Sequence, residues 1–133
     1  MSNEFRIFND DSKAVTLNEH SDYRKFTKLV KKKTMTLQPG EFILGITKEK
    51  LTMPNDLCGW LQGRTRFARF GLNVHATAPF VSPAVTNRQI LEIKNFSTVP
   101  LKIKAGMRIC QLIIEQLQGN AVYRGKYRSQ LKL

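Results

Sequence analysis

The chain has 133 residues, with 22 Lys and Arg against 10 Asp and Glu, a formal net charge of +12. That length is one domain, and 41% hydrophobic residues can supply a real core. No apolar stretch approaches the ~18 residues of a membrane span, no signal-peptide pattern opens the sequence, and Cys58 and Cys110 make no disulfide framework. A reducing, cytoplasmic setting is therefore expected. The positive surplus points to an anionic partner, which charge alone does not resolve into nucleic acid, a phosphorylated small molecule or a membrane surface.

Along the chain, residues 9–18 read as a loop, and 23–33 as either strand or helix. Lys31, Lys32 and Lys33 suit a solvated face or turn, with a phosphate contact as the sharper reading. Gln38-Pro39-Gly40 is a turn in which Gly supplies positive φ. Residues 42–46 then form a strand, Met53-Pro54-Asn55-Asp56 a second turn, and 57–62 a short strand ending at Gly63. Residues 64–70 form a helix of one or two turns. Further strands are expected at 89–95, 101–104 and 108–117, the last two separated by the turn Ala105-Gly106. Strands at roughly 8–12-residue spacing, with Pro or Gly between them, are the signature of a sandwich or barrel. Residues 123–133 read as a basic tail that orders when something binds.

Chemistry is narrowed by elimination. His20 and His75 lie far apart, Cys58 and Cys110 share no short spacing, and the His-x-Glu…Pro-Cys-x-x-Cys pattern of zinc deaminases is missing. No phosphate-binding loop, dinucleotide fingerprint or nucleophile elbow occurs. Two features remain. The first is Gly63-Arg64-Thr65-Arg66-Phe67-Ala68-Arg69, where arginines and a hydroxyl can grip phosphate oxygens or simply form a charged surface turn. The second is Glu92 in Ile90-Leu91-Glu92-Ile93, a carboxylate among apolar strand residues. Burial would raise its pKa and a nearby arginine would lower it, either of which suits acid–base work; a solvent-facing strand residue fits the same alternation.

At these two segments the sequence resembles the dCTP deaminase branch of the dUTPase/dCTP deaminase superfamily. The matching residues are Asp56-Leu57-x-Gly59-Trp60-Leu61-x-Gly63-Arg64, Ala68-Arg69-x-Gly71-Leu72-x-Val74-His75-x-Thr77-Ala78, Leu91-Glu92-x-x-Asn95 and Ala105-Gly106-Met107-x-Ile109-x-Gln111-Leu112. Pro39-Gly40-Glu41, the opening Phe5-Arg6-x-Phe8 and, near the end, Lys126-Tyr127-x-x-Gln130 also fit. The resemblance implies an all-β fold, a distorted jelly-roll-like β-barrel of the dUTPase type, assembled as a homotrimer with active sites between subunits. Residues 1–133 would be a single domain whose segment 121–133 is a flexible closing segment.

The implied reaction is metal-independent deamination of dCTP to dUTP. At the position of Glu92 the family's carboxylate activates the water that attacks C4 of cytosine and then passes the proton on. Arg69 and Thr65 would orient water and stabilise the intermediate. Arg64 and Arg66 would serve the phosphates, Lys126 and Gln130 would close over the nucleotide with Tyr123 as the tail tyrosine, and backbone at Thr77 and Ala78 would read the base edge. Mg²⁺ is expected to arrive with the triphosphate. The expected partner is a deoxycytidine or deoxyuridine nucleotide, not a membrane or a nucleic acid, since aromatics are not interleaved with the basic residues.

The sequence also departs from the family pattern. In the dUTPase branch an apolar residue stands at the place of Glu92, and a catalytic Asp stands where this chain has Ser82. The base-pocket tyrosine of that branch falls at Val85, so pyrophosphate release is not expected. The family's Gly-Trp after the proline is Ala84-Val85 here, and the second hydroxyl of its Arg-Ser-Ser motif is Arg66. A dUTP pyrophosphatase using another carboxylate, and a nucleotide-binding relative without catalysis, are the alternative readings.

Overall fold

The computed structural model describes residues 1–9 and 14–133, so part of the loop expected at 9–18 falls outside the described residues. The chain runs through β1 (Glu4–Phe8), a 3-10 turn (Tyr23–Phe26), β2 (Thr27–Lys31), β3 (Thr34–Leu37), β4 (Phe42–Ile46), β5 (Leu51–Thr52) and β6 (Leu57–Gly63). After α1 (Thr65–Ala68) come β7 (Leu72–Val74), β8 (Phe80–Val81), β9 (Thr86–Asn87), β10 (Ile90–Asn95), β11 (Leu101–Lys104) and β12 (Cys110–Gln116). The ambiguous stretch 23–33 thus resolves into a turn and a strand. Asp22 starts the turn, its carboxylate accepting the Arg24 N–H at 3.0 Å. Lys31, Lys32 and Lys33 are all exposed. No helix among the described residues is long and apolar enough to cross a membrane.

All strand pairs are antiparallel. A five-stranded sheet has the order β2-β1-β4-β10-β7, a three-stranded sheet the order β12-β6-β8, and β11-β3 and β5-β9 form two-stranded ribbons. All four enclose one core, in which Phe5, Leu37, Ile43, Leu91, Ile93 and Ile109 are at most 1% exposed. The expected all-β jelly-roll-like architecture is therefore present, with its sheets kept as separate hydrogen-bonded units among the described residues. Val85, at the place of the dUTPase tyrosine, is a core residue at 3% exposure.

The five-stranded sheet positions the site. Its central strand β4 is buried on both faces. Ile43 faces the main core, while Leu44 and Ile46 face a second apolar cluster with Leu133, Tyr23, Phe42 and Ile90. Strand β10 follows the same period of two. Leu91, Ile93 and Asn95 point inward and Ile90, Glu92 and Lys94 outward. Asn95 is fully buried and fully used: its amide donates to the Leu37 and Val99 carbonyls, and its oxygen accepts the Ser97 N–H and Oγ–H. Its place in the sequence pattern is thus structural, tying the end of β10 to β3 and the following loop. Gly71, at φ +81°, closes the turn after α1 so tightly that a Cβ there would lie 2.8 Å from the Ser97 backbone nitrogen.

Ala84, standing where the resemblance expects Gly, is also held in the left-handed region, at φ +58°. Its N–H donates to the Pro54 carbonyl and its own carbonyl accepts from Arg128 Nε at 3.2 Å, so the turn is tied on both sides. A Cβ in this conformation costs roughly 1–2 kcal/mol, partly offset by the entropy a glycine adds to the unfolded chain. Ala84→Gly is expected to stabilise the protein by about 0.5–1 kcal/mol, seen as a Tm rise of a few degrees in thermal unfolding. A lower Tm would show that the turn carries no such strain.

Candidate active site

Glu92 points outward from the five-stranded sheet, yet its side chain is only 20% exposed. The segment after β7 accounts for this. β7 pairs Val74 with Ile93, the His75 N–H then donates to the main-chain carbonyl of Glu92 at 2.9 Å, and the chain turns through His75 at φ +73°. That turn brings the Thr77 N–H to 2.7 Å and the Thr77 hydroxyl to 2.9 Å from Glu92 Oε2. His75 Nδ1 lies 3.7 Å from the same oxygen.

Burial works to raise the pKa of Glu92. The two Thr77 bonds, the charge interaction with His75 and a smaller contribution from the Ala78 N–H outweigh it, so the carboxyl sits below its usual value. His75 is also shifted down, because burial disfavours its charged form more than the carboxylate and the Ile90 backbone favour it. Near neutral pH the site therefore holds an ionised Glu92 beside a neutral imidazole. Both folded pKa values lie below their unfolded ones, so each group's contribution to stability is complete above the ordinary pKa and is lost as pH falls through the folded value.

The carboxylate opens into a cavity of about 370 Å³. Its apolar wall is built by Phe8, Phe42, Leu44 and Ile90, and its polar groups include Asn87, Gln89, Gln130 and His75. Strand register explains the juxtaposition. Arg6, Leu44 and Glu92 form one cross-strand row over β1, β4 and β10, so the outward residues of those strands share a face. Phe8 and Phe42 meet with ring centroids 5.6 Å apart. Tyr23 closes the side, and Arg6 lies over its ring at 5.8 Å.

The C-terminal segment covers the same face of its own chain. Thr86 N–H donates to Arg128 O at 2.9 Å, Arg88 N–H to Gln130 O at 2.8 Å, and Asn87 Nδ2 to Tyr127 O at 2.8 Å. Leu133 is 4% exposed against Leu44 and Ile46. Tyr127 and Gln130 thereby line the Glu92 cavity, and both also line an adjoining one of about 340 Å³ with Arg24, Lys126 and Lys132.

Of the residues singled out from sequence, Glu92, Ala78 and Gln130 share this cavity, Thr77 is bonded to Glu92, and Lys126 lies next door. Tyr123 is half-buried against the main core and does not line the cavity. Thr65, Arg66 and Arg69 are exposed on and after α1, and none of them lines it either. Arg64 lines another cavity of about 490 Å³, where its Nη1 donates to the Arg108 carbonyl at 3.1 Å. One chain therefore does not bring the arginine-rich segment to Glu92. Sequence reasoning named His75 without giving it a role and passed over the aromatic wall, which becomes visible only once β1 and β4 are known to flank β10.

A family model described as dCTP deaminase-like matches residues 1–117. The chain is 34% identical over 136 residues to a protein of Kocuria rhizophila named "dCTP deaminase, dUMP-forming", covering 95% of this chain and 70% of that protein. It is 41% identical over 101 residues to a protein of the same name from Parafrankia sp., covering 71% of this chain and 50% of that one. Among solved structures, the 2'-deoxycytidine 5'-triphosphate deaminase of Agrobacterium tumefaciens superposes with a TM-score of 0.74 at 16% identity, over 87% of this chain and 38% of that one. The native dUTPase of EIAV gives 0.57 at 20% identity, over 70% of this chain and 76% of that one. These two similarities establish the fold.

Proposed function

Because the chain belongs to the dCTP deaminase-like family, we propose that it is a hydrolytic deaminase of dCTP in which Glu92 activates water and then carries its proton. The observation that supports this most is the carboxylate itself, pinned through Oε2 by Thr77 at the edge of a cavity with apolar walls. Both Thr77 bonds fall on Oε2, so Oε1 is the oxygen offered to a water. Water adds to C4 of the cytosine and gives one proton to Glu92, which passes it to N3 as the C4–N3 double bond becomes single. The remaining proton of the C4 hydroxyl then goes through Glu92 to the amino nitrogen, and the C4–N bond breaks, releasing ammonia and leaving a C4 carbonyl beside a protonated N3. Ionised below its usual pKa, Glu92 is ready to accept that proton at neutral pH. The aromatic and aliphatic wall suits the ring, and the Thr77–Ala78 backbone its polar edge.

The tetrahedral intermediate needs preset donors. Thr65 and Arg69 are exposed and lie outside the cavity of their own chain, so in this reading they reach Glu92 of a neighbouring copy in a homotrimer. Arg64 and Arg66 go with them toward the phosphates, Lys126 and Gln130 act from the closing segment 121–133, and Mg²⁺ enters as part of the substrate.

The product is a deoxyuridine nucleotide. The relatives' names give dUMP, whereas the residues here led to dUTP, because Ser82 stands in place of a carboxylate. Among the described residues Glu92 is the one carboxylate lining the cavity, so in this reading pyrophosphate release would need a second water activated by another group. Incubating the purified chain with dCTP, dCMP or dUTP, and measuring ammonia and pyrophosphate separately, tests both parts. Ammonia from dCTP is the expected result, and pyrophosphate from dUTP with no ammonia from dCTP would reverse the assignment.

Thr77→Val removes the hydroxyl donor to Oε2 and keeps the backbone one. Glu92 then becomes less acidic, and the acid limb of the pH–rate profile moves to higher pH. At slightly acidic pH, kcat/KM should fall about threefold to tenfold and recover toward wild type as pH rises. An unshifted limb would separate Thr77 from the carboxylate's ionisation.

A further inference from the structure

We propose that His75 is a positioning residue for Glu92, its imidazole holding the carboxylate in its ionised, forward-facing state; this rests on the deaminase reading above. Three observations converge on it. His75 is a non-glycine residue in the left-handed region, at φ +73°, in the wall of the cavity. Such backbone is uncommon outside Gly, Asn and Asp, and it persists where the surroundings impose it. Its side chain is 7% exposed, and Nδ1 is buried without a hydrogen-bond partner. A buried nitrogen left unpaired costs free energy, and Glu92 Oε2 lies 3.7 Å away, a gap that a small rotation of either side chain closes.

Besides Glu92, the Ile90 backbone also acts on the imidazole, while a cation of the cavity wall is engaged elsewhere. The Arg88 guanidinium is taken by the Thr47 carbonyl at 2.7 Å, the Leu131 carbonyl at 3.4 Å and Glu4 at 3.8 Å. Tyr23 and Tyr127, the remaining titratable groups of the cavity wall among the described residues, lie on the 3-10 turn and the C-terminal segment. Burial disfavours the charged imidazole, so near pH 7 it meets Glu92 as an Nδ1–H donor, and the charge interaction with the carboxylate arises when His75 is protonated at lower pH. The left-handed turn makes this possible: it directs the His75 N–H to the main chain of Glu92 while the Thr77 N–H and the imidazole approach the carboxylate from the same side.

The test uses the full chain and three variants assayed with dCTP over a range of pH. His75→Gly accepts the backbone without strain and removes the imidazole. It should lower kcat on the order of tenfold, leave KM within about twofold, and move the acid limb up by roughly half to one pH unit. His75→Asn tolerates the same φ and presents an amide donor near the position of Nδ1, so it should restore most of kcat and the wild-type limb. His75→Ala has the strain without the donor and should lose stability as well as kcat. If His75→Gly keeps the wild-type kcat and pH profile, or His75→Asn is as impaired as His75→Gly, the imidazole has no positioning role. A wild-type protein that releases no ammonia from dCTP would instead refute the deaminase reading, independently of His75.

Discussion

Glu92→Gln is expected to lower the rate of dCTP deamination by about 10³-fold while leaving nucleotide binding largely intact. The substitution is close to isosteric. The Gln oxygen can still accept the Thr77 N–H and hydroxyl that now hold Oε2 at 2.7 and 2.9 Å, so the loop after β7 and the cavity keep their shape. What is lost is the basic group. An amide neither takes a proton from water nor returns one to the departing nitrogen. The variant should also lose one source of pH dependence in stability. The Glu92 carboxyl is held below its ordinary value of 4.5, so in the wild type its contribution is complete above that pH and disappears as pH falls through the lower folded value; the Gln variant lacks this contribution. Full activity in Glu92→Gln, with the variant confirmed by mass, would remove the carboxylate from the mechanism.

The second large effect comes from mixing variants. Arg69→Ala and Glu92→Gln should each be inactive alone, Arg69→Ala because in the proposed mechanism the intermediate loses a stabilising cation. Arg69 is exposed just after α1 and does not line the cavity that Glu92 enters. If each site takes Glu92 from one copy and Arg69 from the next around a threefold axis, randomly mixed trimers contain intact pairs. A site is then complete when its first chain is the Arg69 variant and its second the Glu92 variant, so co-expression at equal levels should recover about a quarter of wild-type activity. Recovery measured on doubly tagged, co-purified protein would establish the shared site. A mixture as inactive as its parents would mean that both residues act within one chain.

The parts of the fold legible in the sequence were those in which local pattern and punctuation agree. The strands at 42–46 and 101–104 have the expected limits, and the short helix after Gly63 forms one turn. Strands of two residues, such as β5, β8 and β9, carry too little periodicity to be seen. Pairing order was not legible either, and it decides the site. Alternation in 90–95 left Glu92 equally compatible with solvent. The structure keeps it on the outward face but covers that face with Tyr23, the Val74–Thr77 turn and the C-terminal segment, all brought in by long-range contacts that no local window contains. The charge surplus can be divided in the same way. Lys126 and Lys132, with Arg24, flank the cavity next to Glu92, and Arg66 and Arg69 stand exposed on and just after α1. Lys31, Lys32 and Lys33 are surface charge at the β2–β3 turn.

The most direct test of the central claim is to follow dCTP turnover in ¹⁸O-enriched water, with the nucleotide product analysed by mass and ammonia measured alongside. One solvent oxygen on the uracil ring is expected for each ammonia released, and neither with Glu92→Gln. Solvent oxygen found on phosphate alone, without ammonia, would contradict it.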